Sequence, residues 1–254
     1  MTETVQPALP PRRRPGGLQA FWIAAIVLAA GAAFVIPFNR APKIVEVMPG
    51  RGPAVKPRGW DETRAAFPGM EVRDRGAVVF AGDSITAWWK DLPGAFPGLK
   101  VANRGIAGDT SRTLLYRFDA DILALEPKAM VLLIGTNDLH LGANPSDVAF
   151  NVMDMLDRLQ RSRPDARVVL CAVMPRMPLT NLPPEKILDL NARLRAISSS
   201  RRGVTWCDSH TPFVTEIGGV RDEEFPDGLH PNEAAYAKWA ESLRGAMKEA
   251  GIQE

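Results

Sequence analysis

The chain has 254 residues, 46% of them hydrophobic and 24% charged, with a formal net charge of +2. That composition excludes an intrinsically disordered protein, and the near-neutral, scattered charge excludes a nucleic-acid footprint. No Cys/His grouping has the spacing of zinc ligands, so neither a metal nor a cofactor is expected.

Residues 1–19, rich in Pro and Arg, read as a disordered cytoplasmic N-terminus. Residues 20–38 carry no charge, and as a helix those 19 residues would be about 28 Å long, enough to cross a bilayer core. They read as a single transmembrane signal anchor. The preceding Arg12-Arg13-Arg14 puts the N-terminus in the cytoplasm and the body outside it. Ala30-Gly31-Ala32 also resembles a cleavage site, so the alternative is a removed signal peptide and a secreted or periplasmic domain. A buried core helix is the third reading, and no amphipathic stripe supports it. Residues 39–58, with interspersed Pro, Gly and Lys/Arg, read as a semi-extended linker, and residues 59–254 as one domain.

Within that domain the pattern alternates between short apolar runs and amphipathic stretches. Strands are predicted at Ala77–Ala81, Leu99–Asn103, Met130–Ile134, Arg167–Val173 and Val204–Cys207. Helices are predicted at Ser111–Leu125, Asp147–Arg161, Glu185–Ser198 and from about Pro231 to Ala250. Five strands separated by helices imply an α/β fold, a three-layer α/β/α sandwich around a parallel, doubly wound sheet. Cys171 and Cys207 each lie in a strand-like run, as buried free thiols or, in an oxidising compartment, a disulfide between neighbouring strands.

The first strand runs straight into Gly82-Asp83-Ser84. Alone, this is as good a turn and helix cap as a nucleophile. The other strands change that reading. Strand two runs into Gly105-Ile106-Ala107-Gly108-Asp109-Thr110, and strand three into Gly135-Thr136-Asn137-Asp138. Strand five is followed, after a loop, by Asp227-Gly228-Leu229-His230-Pro231. In a parallel sheet all four groups emerge at one edge, which assembles a nucleophile, a base, a carboxylate and polar donors for acyl transfer.

On these four blocks, in this order, residues 76–245 resemble the SGNH (GDSL-type) hydrolases, and in particular the small flavodoxin-like esterases and lipases. The resemblance implies Ser84 as nucleophile, with Asp227 and His230 completing a catalytic triad. It implies an oxyanion hole formed by Ser84, Gly108 and Asn137, with Gly105 as the alternative glycine. Ile85-Thr86 stands where the eponymous Leu would be. Chemically, neutral His can take a serine proton near pH 7, and Asp227, three residues before His230, can hold the ring. Pro231 fits the first position of a helix. His140 and His210 lack a carboxylate at the family's spacing. Asp83 and Asp109 read as loop organisers that accept backbone N–H bonds. The α/β-hydrolase elbow Gly-x-Ser-x-Gly is absent.

Substrate-contacting walls are expected from Trp88-Trp89 and from Met174 to Leu182, with Trp88 and Met174 foremost and at least one tryptophan in the core. No long insertion is available for a lid, so short acyl groups, acetyl to roughly hexanoyl, are expected. The expected activity is a serine esterase acting on a small-molecule, carbohydrate or lipid ester. Its rivals are a thioesterase or lysophospholipase at the membrane surface, a cell-envelope polysaccharide O-acetyltransferase, and a binding module without activity.

Overall fold

The computed structural model describes residues 47–179, 181–215 and 219–253. The segments predicted as a cytoplasmic tail and a membrane anchor lie outside them. Among the described residues no helix is long and apolar enough to cross a membrane.

Five parallel strands form the sheet: β1 (Val78–Gly82), β2 (Val101–Gly105), β3 (Ala129–Leu133), β4 (Arg167–Cys171) and β5 (Val204–Cys207). Their spatial order is β2-β1-β3-β4-β5. The chain therefore starts near the centre, steps outward once and returns, so the switch point lies between β1 and β3. Every residue of β1 and β3 is buried. Alternate residues feed opposite cores: Val79 and Ala81 join one, Val78 and Phe80 the other. A strand covered on both faces must be apolar on both, hence the continuous runs.

The helices are α1 (Trp60–Ala65), α2 (Glu71–Asp74), α3 (Ser84–Ala87), α4 (Leu92–Ala95), α5 (Ser111–Asp121), α6 (Thr136–His140), α7 (Pro145–Ser162), α8 (Pro184–Ser200) and α9 (Glu233–Glu249). One face of the sheet packs on α5, α7 and α8 through Leu114, Phe118, Val152, Met155, Leu190 and Leu194. The other packs on α9 and the short helices after β1 through Trp89, Phe96, Trp239 and Leu243. α5 begins with a capping box in which Thr110 and Thr113 satisfy each other's backbone N–H, and it tightens into a 3₁₀ turn at Leu123–Leu125 rather than running on as α-helix.

Two expectations are corrected. The last helix starts at Glu233, not Pro231, because the Asn232 side chain accepts the Ala235 N–H and caps it there. Residues 48–58 are not a free linker. The compact unit begins at Met48, and its first eleven residues run without regular structure across the ends of α5 and α7. Arg112 donates to the carbonyls of Met48, Pro49 and Gly52, and Asn151 brackets the backbone of Arg51. Cys171 and Cys207 sit opposite each other on β4 and β5 as buried free thiols.

Candidate active site

Register decides what meets at the carboxyl edge of the sheet. Gly82, the last residue of β1, pairs with Gly105 of β2 and with Leu133 of β3, so the three loops that follow leave the sheet side by side. A Cβ at Gly82 would stand 2.3 Å from the Leu133 carbonyl oxygen, and one at Gly105 would stand 2.4 Å from the Ala87 backbone N. Only glycine permits this approach.

Ser84 opens α3 and is itself buried. Asp83 caps that helix by accepting the Ile85 N–H, and the Tyr236 hydroxyl donates to the Ile85 carbonyl from α9. The Ser84 Oγ lies 2.9 Å from His230 Nε2, and His230 Nδ1 lies 2.6 Å from Asp227 Oδ2. The other Asp227 oxygen accepts the backbone N–H groups of Leu229 and His230. Partial burial pushes the Asp227 carboxyl up, but the His230 backbone N–H, the imidazole and the Leu229 N–H outweigh it and hold the pKa at about 2. An ionised carboxylate only accepts, so Nδ1 carries the proton and Nε2 is left to take one from the serine.

The second and third loops bring polar donors. Gly108 has φ +81°, and its N–H has no partner among the described residues, nor has that of Ser84. The N–H of Gly105, by contrast, is taken by Asn103 Oδ1. The Asn137 side chain donates one N–H to the Asp109 carbonyl and keeps a second.

Beneath these donors lies a buried charge network. Asp109 accepts Trp60 Nε1 and a two-pronged contact from Arg117, both ends of that ion pair fully buried. Asp138 accepts the backbone N–H and hydroxyl of Ser111. Burial raises Asp138 to about 6 against those bonds, with the Asp109 charge adding to it. Burial, incompletely offset by the Ile85 N–H, together with the charges of Asp109 and Asp138, raises Asp83 to about 7.

The predicted walls divide. Trp88 is half exposed, with its ring 4.3 Å from that of His230. Trp89 is core, stacked on Tyr236 and Trp239. Met174 does not line the site: it is buried in the core beneath β4. Further along the same segment, Met177 occupies the space where a Gly228 Cβ would lie and donates its N–H to the Gly228 carbonyl, propping the Asp227 turn. His140 is exposed at the end of α6, and His210 caps with Asp208 instead of meeting the serine. Trp88 lines two grooves. One, of about 860 Å³, follows α9 past His230 and Asn232 to Arg244. The other, of about 930 Å³, passes Ala107 and Gly105 along the free edge of β2 to Phe67, Leu92 and Leu99.

Arg112, Asn151, Trp60 and Arg117, which buttress the donor loops, escaped the sequence reading. The signal available was weak: a lone Asn on the apolar face of α7 and an Arg in the first turn of α5, the second of which solvation would explain.

Fold and site together are those of a three-layer α/β/α enzyme, and the family match makes it a hydrolase that acts on esters. Residues 71–238 match the GDSL-like Lipase/Acylhydrolase family, and the chain belongs to that family. It is similar to platelet-activating factor acetylhydrolase IB subunit alpha2 of Gallus gallus, 28% identical over 54% of this chain and 60% of the relative. It is likewise similar to the alpha1 subunit of Rattus norvegicus, 26% identical over 78% of this chain and 90% of the relative. Among solved structures it resembles a GDSL-like lipase from Bacteroides thetaiotaomicron, with TM-score 0.63 and 27% identity over 76% of this chain and 97% of the other.

Proposed function

We propose that the protein is a serine esterase that releases short acyl groups through a Ser84–His230–Asp227 triad and an acyl-enzyme. The observation that carries this reading is the unbroken line from Ser84 Oγ through His230 to Asp227, at 2.9 and 2.6 Å. Oγ attacks the ester carbonyl while its proton passes to Nε2. The carbonyl oxygen, now negative, accepts from the N–H groups of Ser84, Gly108 and Asn137. The imidazolium returns the proton to the departing alkoxide, and a water, deprotonated by the same nitrogen, releases the acid and restores the serine. The acetylhydrolase relatives favour an acetyl-sized acyl group.

A second reading is favoured by the groove along β2, where Phe67, Met70, Leu92, Leu99 and Val101 among more polar side chains offer room for a longer acyl chain and hence a lysophospholipase-like substrate. For the segment 20–38 we keep the anchor reading, with the domain outside the cytoplasm, on the strength of its uncharged length and the arginines before it.

The test is hydrolysis of p-nitrophenyl esters from acetate to palmitate by the full chain and by Ser84→Ala. A short-chain optimum that disappears in the variant is the expected result. A long-chain optimum transfers the assignment to the second reading, and activity retained by Ser84→Ala would sink the mechanism. Transfer to an added polysaccharide in place of water would make the protein an acyltransferase.

A further inference from the structure

The eleven residues Met48–Arg58 look dispensable in sequence, yet their contacts are concentrated. Three carbonyls, of Met48, Pro49 and Gly52, accept from one guanidinium, that of Arg112, at 2.5–3.2 Å. Arg51 is held through both its N–H and its C=O by Asn151, and its guanidinium lies 3.9 Å over the Phe150 ring. Gly50, at φ +85°, is pressed so close that a Cβ there would stand 2.5 Å from Asn151 Oδ1. Pro49, Pro53 and Pro57 carry no N–H, so the segment has fewer donors than acceptors and is held largely through its carbonyls.

These contacts lead to two places. Pro57 covers the Cα face of Gly108: a Cβ at Gly108 would stand 2.6 Å from Pro57 Cβ. The Pro57 carbonyl accepts the Trp60 backbone N–H, and the Trp60 indole donates to Asp109, beside Gly108. The second path runs from the Arg51 carbonyl through Asn151 Nδ2 to the Ser111 hydroxyl at 2.8 Å, and from that hydroxyl to Asp138 at 2.6 Å. Asp138 adjoins Asn137. The strap thus meets Gly108 directly through Pro57 and reaches Asn137 through Asn151, Ser111 and Asp138, whereas none of these contacts involves Asp227 or His230.

We propose that Met48–Arg58, clamped by Arg112 and Asn151, is a positioning element that sets Gly108 and Asn137 for the developing oxyanion. The inference rests on the oxyanion reading given above. Donors must be in place before charge develops, and a displacement of about 1 Å costs on the order of 10²-fold in rate. The strap holds the loop by its Gly108 side, where the missing Cβ leaves the backbone most free to move.

The experiment uses full-length Arg112→Ala, Asn151→Ala and Pro57→Gly, with Arg158→Ala as control. Arg158 pairs with Asp154 and Asp119, away from the strap. The strap variants are expected to lower kcat about 10–100-fold with KM changed less than about threefold. They should lose affinity for a boronic acid, which forms a tetrahedral adduct on the serine, by a similar factor. Arg158→Ala should move the melting temperature without moving either. If one strap variant fails to fold, the milder Pro57→Gly carries the test. Unchanged kcat and boronate affinity in a folded strap variant would overturn the proposal. Ser84→Ala, run alongside, separates this from failure of the serine reading: if it too stays active, the mechanism falls rather than the strap.

Discussion

The two sides of Ser84 are built on opposite principles. On the Gly108–Asn137 side, Asp109 and Arg117 form a fully buried ion pair, Asp138 is sealed beneath Ser111, and the strap closes over the top. On the His230 side, the Asp227 side chain is 57% exposed and Trp88 stands half in solvent. On the proposed reading these groups are oxyanion donors, which act best when they cannot reorient, and the dry network beneath them suits that role. On the same reading His230 is a base that takes a proton, returns it and passes out an alcohol, and such a base needs access to solvent.

The carboxylates make the same point. Burial disfavours the charged form, and Asp83 and Asp138 are raised to about 7 and about 6. Asp227 stays near the surface, collects two backbone N–H groups and the imidazole, and is held at about 2. Its carboxyl is thus held low by hydrogen bonds rather than by a buried countercharge.

This contrast can be broken from either side. Asp227→Asn is expected to have the largest effect, about a 10⁴-fold fall in kcat with the fold intact. The amide oxygen can still accept from Leu229 and His230, but the amide N–H would meet Nδ1 and leave the proton on Nε2. Steady-state kinetics with an unchanged circular dichroism spectrum would establish this; a loss below tenfold would mean that Asp227 does not set the tautomer. Next, Asn137→Ala should cost about 10²–10³ in kcat, with KM little changed. A larger KM change than kcat change would assign Asn137 to ground-state binding instead.

Asp83→Asn should have the smallest effect on rate and a distinct effect on stability. Because the folded-state pKa is raised from 3.8 to about 7, the folded chain binds more protons than the unfolded chain between those values. Stability therefore falls as pH rises from about 4 to about 7, by a few kcal/mol at most from this group. Asparagine keeps the acceptor for Ile85 and removes the charge, so the variant's urea midpoint should decline less over that window than the wild type's. A parallel decline in both proteins would show that Asp83 does not titrate there.

Much of the fold was legible because its determinants are local. The five apolar runs, the 3.6-residue stripes of α7 and α8, and the turn residues after each strand are readable one segment at a time, and the observed strand ends lie within two residues of the expected ones. The candidate triad was legible for a related reason: a parallel sheet sends every strand's sequel to one edge, so Ser84, Asn137 and His230 need only follow strands to be brought near each other. The end of α9 was less so, because Pro231 and Asn232 both suit a helix start and only the formed cap chooses between them.

Other features depended on contacts between segments far apart in the chain. That Gly105 spends its N–H on Asn103 while Gly108 keeps its own is a matter of loop path. Met174 and Met177 are equally apolar, yet one is under β4 and the other against Gly228. The strap is the extreme case. Its own composition describes a linker, and what orders it is Arg112 and Asn151, some 60 and 100 residues away. The sequence by itself determined which residues could do chemistry and at which edge they would gather, since those follow from periodicity and turns. Only the tertiary structure decided which N–H groups stay free and what holds them, since hydrogen bonds between distant segments leave no periodic trace.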